Sequence, residues 1–73
     1  MSITVYTKPS CVQCTATKRW LDDRGLEYNL VDITEDDAAL ARFKELGFSA
    51  APVVESAAGT WAGFQPSRLV ELA

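Results

Sequence analysis

The β-branched and aromatic run Ile3-Thr4-Val5-Tyr6-Thr7 halts at Lys8-Pro9-Ser10, and residues 11–24 beyond it hold neither Gly nor Pro. The first stretch has the composition of a strand, and Pro9 breaks it. In the second, Trp20 and Leu21 follow Cys14 and Thr17 at helical spacing, and Gly25 supplies a left-handed stop. Ser10 is the expected N-cap, which would put Cys11 in the first helical turn. No other feature limits the fold as strongly. A strand that leads through one helix into the next strand makes the two neighbours parallel, with a right-handed crossover.

That next strand is expected at 26–33, "LEYNLVDI", where Leu26, Tyr28 and Leu30 alternate with Glu27 and Asn29. Thr34 and Asp37 resemble a capping box. The apolar stripe Ala39, Leu40, Phe43, Leu46 then predicts a helix that closes at Gly47. Pro52-Val53-Val54 opens a third strand, residues 57–59 turn, and Thr60-Trp61-Ala62 forms a short fourth. A tight turn between these two makes them antiparallel. Pro66 is the expected first residue of a terminal helix carrying Leu69, Val70 and Leu72. The order β-α-β-α-β-β-α predicts an α/β chain, a mixed four-stranded sheet with helices on both faces, as one domain over residues 1–73. Reactive groups in such sheets gather at the carboxyl ends of parallel strands, where the 8–14 loop lies.

The bulk properties remove several classes of function. The net charge is −3, and no Lys/Arg cluster reads as a footprint for nucleic acid or an anionic membrane. Neither a transmembrane span nor a signal peptide is visible, so a cytoplasmic protein is expected, in a compartment that keeps thiols reduced; a monomer is expected as well.

Cys11 and Cys14, in "KPSCVQC", are the only cysteines, and the chain has no histidine. One chain therefore cannot supply four nitrogen or sulfur ligands to a structural zinc ion. A metal or iron–sulfur module would need ligands from a second chain or a small thiol, so no resident metal or cofactor is expected. A structural staple is weak for another reason, since bridging residues three apart closes almost no loop. The reactive reading has a mechanism. A thiol at a helix N-terminus meets unpaired N–H groups and the positive end of the helix dipole, which favour thiolate. Lys8, with Lys18 one turn after Cys14, adds positive potential. Cys14, on the same helix face and deeper, is placed to resolve a mixed disulfide formed at Cys11.

"CVQC" followed by "ATK" (16–18), "APVV" (51–54) and "WAGFQPSRL" (61–69) together resemble the NrdH-redoxins, over essentially the whole chain. The resemblance implies a thioredoxin fold and a dithiol–disulfide oxidoreductase. It also implies thioredoxin reductase, drawing on NADPH, as electron donor and the large subunit of class Ib ribonucleotide reductase as acceptor. The proline equivalent to Pro52 is cis in that fold and faces the cysteines, with the Ala51 backbone pairing an extended substrate segment. From the residues alone, an ordinary trans proline opening an edge strand is the alternative.

Lys8, Val12 and Gln13 beside the cysteines, with Ala51, Pro52, Trp61, Gly63 and Phe64, make up the expected partner-contacting set. Trp61 has two readings, a core aromatic or an exposed docking platform. Phe64 reads more as core. The same segment separates electron donors. Glutathione-using glutaredoxins generally carry a Gly-Gly pair and then an acid here, to meet the ammonium of the tripeptide. Residues 61–70 contain no acid, which disfavours a glutathione-dependent glutaredoxin, although Lys8 could meet a glutathione carboxylate. The family segment more often reads Trp-Ser-Gly-Phe-Arg-Pro. This chain has Ala62 and Gln65 instead, and so lacks a hydroxyl and a fixed charge.

Overall fold

In a computed structural model, residues 3–48 and 50–72 are described. The elements run β1 (Thr4–Thr7), α1 (Val12–Asp23), β2 (Asn29–Asp32), α2 (Asp37–Glu45), β3 (Val53–Ser56), β4 (Gly59–Ala62) and α3 (Pro66–Leu69), and a 3₁₀ turn follows at Val70–Leu72. The strands lie in the order β2-β1-β3-β4. β1 pairs with β2 in parallel and with β3 antiparallel, and β3 pairs with β4 antiparallel. This is the expected β-α-β-α-β-β-α arrangement, a thioredoxin-like fold.

Register explains how the sheet is covered on both sides. Val5, Val54 and Trp61 stand opposite one another across β1, β3 and β4. They meet Leu21 of α1 and Leu69 of α3 in one core cluster. One residue along, Tyr6, Val53 and Ala62 form the next row. Because side chains alternate faces, this row turns to the opposite side and packs on Ala39 and Phe43 of α2. Val5, Leu21, Val53, Val54 and Leu69 are fully buried, each stabilising the fold by about 1.5–3 kcal/mol of apolar transfer. Two helices thus cover one face and one helix covers the other.

Local differences from the sequence reading have local causes. Helix α1 is capped by Cys11 rather than Ser10. The Cys11 sulfur accepts the Cys14 N–H at 3.1 Å, and Ser10 takes a left-handed turn conformation at φ 58°. Helix α2 is capped by Asp36, whose carboxylate accepts the Ala39 N–H at 3.0 Å. Thr34 does not cap it, because its N–H and hydroxyl both donate to Asp32 Oδ1, at 2.8 and 2.6 Å. The α1 terminus ends as expected. Gly25, at φ 67°, donates to the Asp22 carbonyl at 3.0 Å and Leu26 to the Leu21 carbonyl at 3.1 Å, the paired bonds of a Schellman stop.

The second strand is shorter than its alternating pattern, and Leu30 is not a core residue. β2 lies at the edge of the sheet, where Leu30 is 49% exposed; Leu26 and Tyr28 pack on the core from the coil before the strand. The terminal helix tightens into a 3₁₀ turn at Val70, and Val70 is itself 54% exposed. None of the described helices is long and apolar enough to cross a membrane.

On the α2 face one polar network joins strand to helix. The Tyr6 hydroxyl donates to Glu55 Oε1 at 2.9 Å, and Arg42 Nη2 pairs with Glu55 Oε2 at 2.7 Å. Arg42 and Tyr6, both hydrogen-bonded to it, hold the Glu55 carboxyl below the usual carboxylate range. Burial first, then the Glu55 carboxylate, push the Tyr6 phenol upward. The network was not apparent in the sequence, where the three residues lie in three separate elements.

Candidate active site

The loop after β1 delivers the cysteines to the N-terminus of α1. Cys11 and Cys14 are joined as a disulfide with Cα atoms 5.2 Å apart. Their environments differ. Cys14 is 3% exposed and faces the core, whereas Cys11 is half-buried at the cap and opens to the surface. Cap position also gives Cys11 the environment that stabilises a thiolate: its sulfur already accepts one free backbone N–H of the first helical turn. In the reduced state that N–H and the helix dipole would act on the Cys11 charge, an interaction of about 0.3–1 kcal/mol at an exposed terminus.

A groove of about 640 Å³ runs along one side of the pair, lined among others by Thr7, Lys8, Cys11, Val12, Lys18 and Leu30. Asp32 lies in the same groove, but its Oδ1 is already engaged by Thr34. Lys8 and Lys18 outnumber this one carboxylate and give this side a positive balance. Val12, between the cysteines, is 84% exposed, and with Leu30 it sets apolar surface beside the disulfide. Leu30 was not among the expected site residues. Its alternation with Glu27 and Asn29 pointed inward, and only the edge position of β2 turns it to the groove.

The other side of the pair is built from distant sequence. The Ala51–Pro52 peptide is cis, as the resemblance implied, and Pro52 is buried. The Ala51 carbonyl oxygen lies 3.8 Å from Cys11 Sγ. The Pro52 carbonyl accepts the Gly63 N–H at 2.7 Å, which ties the 63–65 loop to the same place. Gln13 Oε1 accepts the Phe64 N–H at 3.2 Å, across 51 positions of sequence. Gly63 has φ 84°, and a Cβ there would sit 3.3 Å from Gln13 Oε1, so glycine suits both its backbone and its neighbour.

Trp61 does not form an exposed platform. It is 4% exposed in the core cluster with Val5, Leu21, Val54 and Leu69, because β4 turns it into the row facing α1 and α3. The Arg68 guanidinium stacks 5.1 Å from its ring centroid. Phe64 is half-buried against the same cluster. The structure thus brings Lys8, Val12, Gln13, Ala51, Pro52, Gly63 and Phe64 around the disulfide and withdraws the Trp61 side chain from the surface. Among the described residues no group of three or more His, Cys, Asp and Glu side chains is placed to hold a metal ion.

A thioredoxin-like fold with a Cys-x-x-Cys disulfide at the first turn of α1 defines a thiol–disulfide oxidoreductase. Comparison with known proteins gives its kin. The glutaredoxin family profile matches residues 3–56. A glutaredoxin-like protein NrdH from Salmonella typhimurium is 40% identical over 72 residues, covering 99% of this chain and 89% of the relative. Another, from Lactococcus lactis subsp. cremoris, is 38% identical over 71 residues, covering 97% and 99%. Among solved structures, the NrdH-redoxin of Escherichia coli, described for a thioredoxin-like activity profile, superposes with a TM-score of 0.95 at 36% identity, covering 100% of this chain and 96% of that one. The chain belongs to the glutaredoxin family, among its NrdH-like redox proteins.

Proposed function

We propose that this protein carries electron pairs from thioredoxin reductase to protein disulfides, with the large subunit of class Ib ribonucleotide reductase as acceptor. The reaction runs in two exchanges. The Cys11 thiolate attacks one sulfur of the substrate disulfide, that bond breaks, and the departing thiolate takes up a proton. Cys14, as thiolate, then attacks Cys11 Sγ in the mixed disulfide and releases the second substrate thiol. Two electrons and two protons pass to the substrate, and the Cys11–Cys14 disulfide remains. Thioredoxin reductase, using NADPH, returns the pair to the dithiol.

The observation that carries this reading is the asymmetry of the pair. Cys11 sits at the helix cap, open to the surface, while Cys14 is buried behind it. Lys8, Val12 and Ala51 are the nearest surfaces for a partner, with Ala51 offering backbone to an extended segment. We place the activity in the cytoplasm, in a single-domain monomer. Residues 61–70 offer no acid to a glutathione ammonium, and the Phe64 N–H is already taken by Gln13. Both features weigh against glutathione as the donor.

One assay tests the donor. NADPH oxidation is followed with thioredoxin reductase, and separately with glutathione plus glutathione reductase, using the same protein disulfide as acceptor. Robust turnover is expected in the first system and weak turnover in the second; the reverse result would overturn the assignment.

A further inference from the structure

Three contacts and one peptide bond close a ring around the disulfide. Cys11 Sγ lies against the Ala51 carbonyl at 3.8 Å, and Pro52 follows Ala51 through the cis peptide. The Pro52 carbonyl holds the Gly63 N–H at 2.7 Å, and the adjoining Phe64 N–H donates to Gln13 Oε1 at 3.2 Å. Gln13 stands between the two cysteines, so the path returns to its origin. Three of the links use backbone carbonyls and amides or the sulfur itself. The fourth depends on one side chain, and that side chain is exposed.

An exposed glutamine on the first turn of a helix would ordinarily point to solvent. Here it spans to a loop 51 residues away and occupies the space that any side chain at position 63 would enter. The loop it holds carries Phe64, half-buried against the core and bonded through its N–H to Gln13, between the two cysteines. On the opposite side of the pair the groove is open, and none of Gln13, Ala51, Gly63 or Phe64 lines it. The two flanks of Cys11 therefore differ: one is an open positive groove, the other a surface anchored to Pro52 through Gly63 and joined to α1 only through the Gln13 amide oxygen.

We infer that Gln13 is a positioning residue, whose amide oxygen fixes the 63–65 loop, and Phe64 with it, beside Cys11 so that a protein disulfide finds this flank already formed. The inference rests on the reading that the substrates are protein disulfides. Without the Gln13 bond the loop keeps its Gly63–Pro52 anchor but its Phe64 end is loose; that end must be ordered as the partner docks, which would weaken binding without altering the exchange at sulfur. The effect belongs in KM rather than kcat.

The test uses three full-length proteins, the wild type, Gln13→Ala and Gln13→Glu, with insulin as the protein disulfide and dithiothreitol as the terminal reductant. Thioredoxin reductase is thus not needed. Gln13→Ala is expected to raise KM for insulin about fivefold, the scale of one lost hydrogen bond, with a much smaller change in kcat. Glu keeps the reach and the acceptor, so Gln13→Glu should return KM to within about twofold of the wild type. In parallel, amide exchange at Phe64, read by NMR, should quicken in Gln13→Ala and recover in Gln13→Glu. An unchanged KM in Gln13→Ala, no rescue by Gln13→Glu, or a Phe64 amide indifferent to both would overturn the inference. Failure of the wild type itself to reduce insulin would overturn the proposed exchange and the docking role together.

Discussion

The two faces of the sheet are filled by the same device, rows of apolar side chains in register, yet their rims are built differently. On the α2 face the rim is closed by charge: Arg42 and Tyr6 converge on Glu55, and helix is fastened to strand. On the α1 face the equivalent position is held by a disulfide, a sulfur cap and a few long contacts to backbone. The first arrangement serves rigidity. The second leaves the reacting sulfur at a helix terminus, accepting the Cys14 N–H directly, where chemistry can use that donor. Stability and activity should therefore be separable by face.

The largest expected effect breaks the chemistry and spares the fold. Cys11→Ser should abolish disulfide exchange with insulin, yet serine is a favoured N-cap, so helix α1 and the thermal midpoint of the reduced protein should hold. A matching loss of stability would mean that Cys11 is mainly structural. The converse variant lies on the other face. Phe43→Ala should cost about 3–5 kcal/mol by denaturant unfolding. Should that variant not fold, Phe43→Leu at about 1–2 kcal/mol carries the same test. Exchange per folded molecule should be unchanged in either; a fall in exchange would join the faces that the structure separates.

A smaller effect, about 1 kcal/mol, is expected for Asp36→Ala, which removes the cap of α2 and leaves the cysteines untouched. Smaller still are the titrations of the rim. The pKa of Glu55 is lowered in the folded state, so its contribution is complete above the ordinary carboxylate value and is lost as pH falls through the folded one. The pKa of Tyr6 is raised above 10.0, so its contribution is complete below that value and fades as pH climbs through the raised one. Thermal midpoints across pH should show both limbs. Glu55→Gln should flatten the acid limb, and Tyr6→Phe the alkaline one, the latter with about 1 kcal/mol lost near neutrality. Limbs unaltered by these substitutions would remove the network from the account of stability.

Legibility in the sequence divides along similar lines. Wherever one periodic segment carries its own signal, it could be read. Ile3–Thr7, the Gly-free and Pro-free stretch after Pro9 and the stripe through Phe43, with the shorter signals at 26–33, 52–54, 60–62 and 66–72, were enough for element order and for helices on both faces. The cysteine pair was legible for the same reason, because spacing and helix position are local facts. Features that need two distant segments were not. Leu30 alternates like a core residue, and only the strand order places it on an edge. Trp61 had two readings because burial depends on which row of the sheet it joins. Gln13 was expected to contact a partner, and its reach to Phe64 is a pairing no spacing encodes. Helix starts were displaced by competition among neighbours: Asp32 claims Thr34, and the Cys11 sulfur does the capping expected of Ser10.

The central claim is an ordered exchange in which Cys11 attacks and Cys14 resolves. Cys14→Ser, reduced and mixed with an oxidised protein substrate, tests it most directly by intact-mass and peptide-level mass spectrometry. The account predicts a stable one-to-one mixed disulfide linked through Cys11, with no release of reduced product. Full turnover by Cys14→Ser would contradict it.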